Sequence, residues 1–468
     1  MRCPDSVAPH PDDPSQSDRG PEGPPDCARH GRGVVVKLDT APPRGMKDLL
    51  PSEVELRDRA TATILATYKR YGFRRIETPA LENLKLLLGS GGGENEKLIY
   101  KVLKRGAKLD SATTQREDDL ADLGLRFDLT VPLTRYYAHN RAALPDPFKA
   151  IQIGPVWRAE RPQKGRFRQF TQCDIDILGV ASEIAEIELI LATSEALIGL
   201  ELERPRIRVN DRRILTAMAT HCGFDSARHG EFFITLDKLD KIGREGVERE
   251  LREAGHTTGA IAKLFALFPW PGDPSPAALE RLAQSVPATA EAIEGLRTIL
   301  TTVEREAGGR FAVAFDPTLV RGMGYYTGPI FEAAYGDYGS SIAGGGRYDR
   351  MVGRLIGHDV PACGFSIGFE RVVSILEERS GVAGSERDRV AFLFDRDDPL
   401  TEVAAAAGRL RSRDRVVSLT LKRKNLAKQL DDLVGEGFGS YAVFRAGQAA
   451  PDVKPLARRA ASGGGADA

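Results

Sequence analysis

A chain of 468 residues is longer than one hydrophobic core usually organises, so length alone points to about three domains. Its 66 Lys and Arg balance 66 Asp and Glu, which excludes a globally polycationic nucleic-acid binder and leaves any such role to local basic patches. The five cysteines are scattered without a CxxC pair, the N-terminus lacks a secretory pattern, and no stretch approaches the roughly 20 apolar residues of a membrane span; the expectation is a cytoplasmic protein with no membrane segment.

Residues 1–36 are rich in Pro, Asp, Gly and Ser and poor in large apolar side chains, and read as a disordered N-terminal extension. Leu56, Ala60, Ile64 and Tyr68 recur at helical spacing after Pro51, with a capping-box spacing in Ser52 to Glu55 and a glycine stop at Gly72. Phe73 to Thr78 reads as a strand stopped by Pro79. Arg116 to Asp122 reads as a charged connection, and further strands are expected at Leu125–Leu129, Ile151–Trp157 and Asp174–Gly179. Ser182, Glu183 and Glu186 open a second long helix that runs to about Gly199, their charge suiting the positive end of the helix dipole.

These elements make residues 37–210 the first part of a core. Residues 211–309 are helical and charged and read as an inserted domain, because strand-like sequence resumes at Ala312 and carries the second part of the core over 310–380. A Ser-Gly-Glu-rich linker follows at Ser380–Asp388. Residues 389–448 alternate short strands with helical segments, as a small α/β domain does, and 449–468 read as a flexible tail.

Three segments carry candidate chemistry. Gly154 to Phe170 crowds Arg158, Arg161, Lys164, Arg166 and Arg168 between two strands and ends on an aromatic ring. Guanidinium forks match phosphate oxygens and an aromatic face accepts a purine, so a nucleoside triphosphate is the natural guest; composition alone fits a solvated basic hairpin equally well. Arg321 to Gly328 and Ala343 to Asp349 combine glycines, which let a backbone approach a ligand, with Arg321, Tyr325 and Tyr326, although a tight hairpin and a tyrosine corner would look the same. Cys363 to Val372 runs an apolar strand through glycines into a helix that bears Arg371.

In this order the segments resemble the signature motifs of class II aminoacyl-tRNA synthetases, specifically the histidyl-tRNA synthetase family, over about Pro43 to Gln448. Gly72–Pro79 resembles the first motif, which supports a homodimer interface; the arginine-rich hairpin resembles the second, and Gly368-Phe369-Glu370-Arg371 the third. The Arg321 and Ala343 segments resemble the two peptides peculiar to histidyl enzymes. The resemblance implies an α+β fold: an antiparallel sheet with flanking helices, a helical insertion and a C-terminal α/β anticodon-binding domain.

It also implies roles. Arg158 and Arg321 would act at the α-phosphate of ATP, with Glu160 beside them, Arg166 and Arg371 on the terminal phosphates, and Phe170 on the adenine. Mg²⁺ would accompany the β- and γ-phosphates without fixed protein ligands. Asp128, Thr130 and Gln172 would bind the α-amino group of L-histidine. Asp176 and Tyr326, next to Tyr325, would hold the two imidazole nitrogens, and Arg321 would reach the amino acid as well. As bare residues, Asp174 and Asp176 read equally as strand-end carboxylates. Arg161, Gln163, Lys422, Arg423 and Lys424 would meet tRNA(His), although the last three also read as a solvated helix face.

Gly324 stands where many members carry an acidic residue, and Asp128 and Asp176 stand where the common bacterial pattern has Glu, as in the eukaryotic and archaeal branch. The implied activity is ATP-dependent formation of histidyl-adenylate and transfer to the 3′-terminal adenosine of tRNA(His). The rival is a catalytically inactive regulatory paralogue of the kind that partners ATP phosphoribosyltransferase. Such paralogues tend to lose the phosphate arginines, which persist here at Arg158, Arg321 and Arg371.

Overall fold

The computed structural model describes residues 39–89, 93–106, 109, 117–162, 166–267, 276–322, 324–336, 341–380, 389–412, 415–448 and 451–456. The extension expected over 1–36, Gln163 and Lys164 of the basic hairpin, and nearly all of the expected linker at 380–388 lie outside them. In chain order the strands are β1 Arg74–Arg75, β2 Leu81–Asn83, β3 Lys101–Leu103, β4 Ala121–Leu125, β5 Phe148–Trp157, β6 Gln169–Leu178, β7 Arg206–Asp211, β8 Ala312–Phe315, β9 Pro329–Ala334, β10 Ala343–Arg347, β11 Ala362–Gly368, β12 Arg389–Phe394, β13 Val416–Leu421, β14 Ser440–Val443 and β15 Val453–Pro455.

The main sheet has the order β1-β5-β6-β11-β10-β9-β7-β8. Its inner pairings are antiparallel, and only the edge strands β1 and β8 run parallel to their neighbours. The long hairpin β5–β6 is in register from Phe148↔Leu178 to Trp157↔Gln169. On one side of the sheet lies the helix Ile184–Gly199, buried on nearly every face, with the helix Pro51–Arg70 packed over it. Cys173, Ile175 and Ile177 of β6 share a core with both helices.

The helix Pro51–Arg70 starts differently from the Ser52–Glu55 expectation. Proline, which has no N–H to leave orphaned, takes the first helical position. That puts Glu53 at the third, where its Oε2 accepts from the Leu50 N–H at 2.8 Å. The strand expected at Leu125–Leu129 is also displaced: β4 ends at Leu125, and a helix begins at Thr130, because Asp128 accepts from the Val131 N–H (3.1 Å) and turns the chain. The "charged connection" before it holds the short helix Glu117–Leu120 and the start of β4.

β7 and β8 frame the insertion, whose helices run from Arg212 to Ala307. Asp211 caps the first helix through the Arg213 N–H (2.7 Å), and Gly223 ends it in the left-handed conformation that glycine favours. Insertion residues such as Met218, Phe232, Leu264 and Leu296 belong to the same buried cluster as the main sheet's helix layer. The C-terminal sheet, β13-β12-β14-β15, has its own small cores around Phe392 and Leu393. Here the expectation of a tail from residue 449 is corrected. Residues 453–455 pair antiparallel with β14 and supply a fourth strand, a three-residue segment too short to register as periodicity. Among the described residues no helix is long and apolar enough to cross a membrane.

Candidate active site

The site follows from the two-residue period of β6. With Cys173, Ile175 and Ile177 turned to the helix layer, Gln172, Asp174 and Asp176 must face the other way. Across the sheet these three oppose Gly154, Gln152 and Ala150 on β5, and Gly368, Ser366 and Gly364 on β11. The small neighbours leave room above the strand. A methyl group on Gly364 would stand 2.0 Å from Asp176 Oδ1, so that glycine is required by the carboxylate beside it.

Asp174 and Asp176 are enclosed and Gln172 is half-buried; Asp128, which approaches from the turn after β4, is enclosed as well. Asp128, Asp174 and Asp176 are only 2–3 % exposed, so they are interior groups and not strand-end carboxylates. Burial pushes the Asp128 carboxyl up to about 6 and Asp176 to about 7; Asp174 lies well above the carboxylate range, from burial first and then from the charge of Asp176. Asp176 Oδ1 accepts from the Tyr348 hydroxyl at 2.6 Å. The second oxygen of Asp176, Oδ2 of Asp128, Oδ1 of Asp174 and Oε1 of Gln172 have no partner within the chain. Buried acceptors left open at this density mark a place where donors of a guest belong.

A row of residues crosses five strands at the level of Asp174: Glu332 on β9, Gly344 on β10, Ser366 on β11, Asp174 on β6 and Gln152 on β5. Arg321 lies over the gap in this row. A methyl group on Gly344 would fall 2.2 Å from Arg321 Nη2, and Arg321 Nη1 donates to Glu332 Oε2 at 2.8 Å. Arg208 of β7 bonds Asp316 Oδ2 at 2.6 Å and reaches Glu332 at 3.4 Å. Burial works against the charge on Arg321, but Tyr326 and Glu332 more than offset it and its proton is held more tightly than usual. Its Nε is buried with no partner in the chain.

Tyr325 and Tyr326 close the wall between Arg321 and the carboxylates. Tyr326 lies beside Arg321 and Tyr325 beside Thr130, with the two rings 5.0 Å apart. Arg158 enters from the end of β5; its Nε donates to the Phe127 carbonyl at 3.0 Å, and its guanidinium lies 5.0 Å from the centre of the Phe170 ring. Burial lowers its pKa, while the nearby Asp128 acts in the opposite sense. The fold thus brings together Asp128, Thr130, Arg158, Phe170, Gln172, Asp176, Arg321, Tyr325 and Tyr326.

The remaining expected residues lie further out. Arg166 is half-exposed and pairs with Glu160 at 3.3 Å, and Arg161 is exposed. Arg371 donates to the Ser341 carbonyl. In the C-terminal domain Lys422 pairs with Asp395 and Arg423 with Asp432, whereas Lys424 is exposed. Among the described residues there is no group of three His, Cys, Asp or Glu side chains that would hold a metal ion.

Several motif residues prove to be ties within the fold. Arg126 bonds the carbonyls of Thr78 (2.6 Å) and Pro155 (3.0 Å), and Glu370 takes both arms of Arg57 (2.7 and 2.8 Å) together with the Thr171 N–H (2.9 Å). Arg347 makes a buried two-pronged pair with Glu186 (2.6 and 2.8 Å). Conversely, sequence reasoning passed over Tyr348 and Glu332. Tyr348 sits in a glycine-rich motif that gave no hint of its partner; Glu332 is a lone charge inside the apolar strand PIFEAA, which is the signal that marks it.

The chain is similar to several known proteins. A family model described as histidyl-tRNA synthetase matches residues 45–372. The chain is 48% identical over 431 residues to a histidine–tRNA ligase of Leifsonia xyli, covering 89% of this chain and 98% of the relative, and 38% identical to one of the archaeon Aeropyrum pernix over 71% and 73%. A crystal structure of histidyl-tRNA synthetase from Nostoc superposes with a TM-score of 0.73 at 28% identity, covering 90% of this chain and 95% of that one. A Bacillus halodurans structure titled as an ATP phosphoribosyltransferase regulatory subunit/histidyl-tRNA synthetase shares the fold at a TM-score of 0.71 and 21% identity, over 87% of this chain and 100% of that one.

Proposed function

Since the chain belongs to the histidyl-tRNA synthetase family, we propose that the cavity over β6 is where L-histidine and ATP combine. The chain is an aminoacyl-tRNA ligase that uses ATP to activate histidine and transfers it to tRNA. The observation that carries the assignment of the cavity is its chemistry: orphaned acceptors of Asp128, Gln172 and Asp176 together with the half-buried guanidiniums of Arg158, beside Asp128, and Arg321, over Gly344. A zwitterion with a ring N–H fits that chemistry, its ammonium and imidazole on the acceptors and its carboxylate toward the arginines.

In the first step a histidine carboxylate oxygen attacks the α-phosphorus of ATP, the bond to the β-phosphate oxygen breaks, and pyrophosphate leaves with the electron pair. Arg158 and Arg321 face the charge that builds on the α-phosphate oxygens, and as fixed guanidiniums they need little reorganisation to stabilise it. Phe170 carries the adenine on the ring face away from Arg158, and Glu160, Arg166 and Arg371 serve the rest of the nucleotide. Mg²⁺ bound to ATP, with no fixed ligand from this chain, would supply charge neutralisation at the β- and γ-phosphates. In the second step the hydroxyl of the terminal adenosine of tRNA(His) attacks the acyl carbon and AMP leaves. No protein nucleophile is needed; positioning and electrostatics suffice.

For tRNA contacts we assign Arg161, Gln163, Lys422, Arg423 and Lys424, and the domain of residues 389–448 serves the anticodon. A homodimer is supported by the small sheet β2-β4-β3, whose Leu81, Leu103 and Leu123, close in sequence to the first motif, are exposed; light scattering tests it. The regulatory-paralogue reading is not favoured: the relatives similar over most of the chain are named histidine–tRNA ligases, and Arg158, Arg321 and Arg371 are all present.

Histidine-dependent exchange between pyrophosphate and ATP, with the other amino acids as controls, tests the proposal. Exchange with histidine alone supports it. A folded chain with no exchange would refute it, and exchange with another amino acid would mean that the pocket around Asp176 and Tyr326 has a different guest.

A further inference from the structure

The ammonium group of histidine has three N–H donors, and the expected receptors were Asp128, Thr130 and Gln172. Thr130, beside Tyr325, offers a neutral hydroxyl that is not among the buried, unpartnered acceptors of the cavity. Asp174 offers what Thr130 does not. It lies on β6 between Gln172 and Asp176, on the same face, and its Oδ1 is buried with no partner in the chain.

Its surroundings aim it. Ser366, directly opposite on β11, neighbours the Asp174 carboxyl group, and Gln172 Nε2 reaches the Ser366 hydroxyl at 3.4 Å. With its nitrogen committed to Ser366, the Gln172 amide turns Oε1 into the cavity, where it too is unpartnered. Asp128 Oδ2, Gln172 Oε1 and Asp174 Oδ1 are therefore three open acceptors for three N–H donors, with Asp176 Oδ2 left for the ring. Asp174 also shares the cross-strand row of Gly344, over which Arg321 lies. Two strand spacings, roughly 10 Å, separate the two positions, room for an amino acid with its ammonium at one end and its carboxylate at the other.

We propose that Asp174 is a histidine-binding residue that accepts a hydrogen bond from the substrate's α-ammonium group and so selects for the amino group. This rests on the assignment of the cavity to histidine. A carboxylate kept in the interior with an open oxygen weakens the ligand-free fold and is repaid only when the ammonium arrives.

The test is calorimetric binding of L-histidine, and of its des-amino analogue 3-(imidazol-4-yl)propanoate, to the full chain and to Asp174→Asn. The variant should bind histidine about tenfold or more weakly, the loss expected for a charge-assisted hydrogen bond, and bind the analogue within about twofold of the unchanged chain. The ligand-free variant should melt at the same temperature or higher. Equal losses for both ligands, or no loss for either, would overturn the proposal, as would a lower melting temperature. Should Asp174→Asn not fold, Asp174→Ser serves with the same outcomes. Failure of the underlying reading looks different: the unchanged chain itself would bind no histidine.

Discussion

Arg321 and Glu332 form an ion pair at 2.8 Å across the gap left by Gly344, and Glu332 is steadied in turn by Arg208 of β7. Gly324 has no side chain to support the arginine, and the acidic partner comes from β9 instead. Glu332→Gln keeps the shape of the side chain and removes its charge, so Arg321 loses the partner that fixes it. We expect histidine-dependent pyrophosphate exchange to fall about a hundredfold through kcat, the loss typical of a displaced catalytic group, with the melting temperature little changed. Arg321→Ala should fall at least as far. Normal exchange in either variant would remove Arg321 from the chemistry.

A pH effect follows from the carboxyls of Asp176 and Asp128, raised by burial to about 7 and about 6. Because these values lie above the unfolded-chain value of about 3.9, the folded, ligand-free protein holds the protons more tightly. The stability they contribute is fully present below about pH 4 and is lost as pH rises through 6 and 7. Asp176→Asn cannot ionise, so its stability relative to the unchanged chain should be greatest above pH 7 and shrink as pH falls toward about 5. Denaturant titrations over that range give the difference directly; a difference independent of pH would show that Asp176 does not titrate there. Histidine affinity should run the other way, weakening as these acceptors protonate.

The Arg347–Glu186 pair is a stability element despite its place in a ligand-like motif. Both side chains are almost fully buried, and the guanidinium also bonds the carbonyls of Val180 and Ser182. Arg347→Met would strand the Glu186 carboxylate under the sheet, at a cost of about 3–5 kcal/mol. Chemical denaturation measures it, and a change below about 1 kcal/mol would mean that the helix Ile184–Gly199 holds β10 without the pair.

Periodicity made the helix layer legible and the β5–β6 hairpin legible in part: the expected Ile151–Trp157 and Asp174–Gly179 overlap strands that begin earlier, at Phe148 and Gln169, because polar residues at the start of β6 hid its alternation. Motif resemblance then named most of the cavity. What it could not do was divide residues that touch ligand from residues that hold the fold. Arg126, Arg347 and Glu370 look as functional in sequence as Arg158 and Arg371, yet their partners lie on β5, on the helix Ile184–Gly199 and on the helix Pro51–Arg70, 29 to 313 positions away along the chain. Glu332, Ser366 and Tyr348 were illegible for the same reason: each matters through the cross-strand neighbour that register gives it. Short-range cues also misplaced the turn at Asp128, where a side-chain bond to the Val131 N–H overrode the apolar run.

Gly344 offers the sharpest separation of site from scaffold. In Gly344→Ala the new methyl carbon would stand 2.2 Å from Arg321 Nη2 and 2.3 Å from its Cζ, a distance no relaxed structure keeps. The nearest atoms belong to the end of a long side chain and not to backbone, so the strand can stay in register while the guanidinium moves. The displacement takes Arg321 away from Glu332 and from its proposed place at the α-phosphate, and exchange should fall about a hundredfold, as for loss of the partner. Gly345→Ala is the natural contrast. Its methyl carbon would meet the Gly364 carbonyl oxygen at 2.1 Å and the Phe365 backbone at 2.8 Å, so the sheet itself must give way. Gly344→Ala should thus be an inactive protein with a near-normal melt, and Gly345→Ala a destabilised one. If both lose stability alike, the glycine at 344 serves the sheet and the arginine does not depend on it.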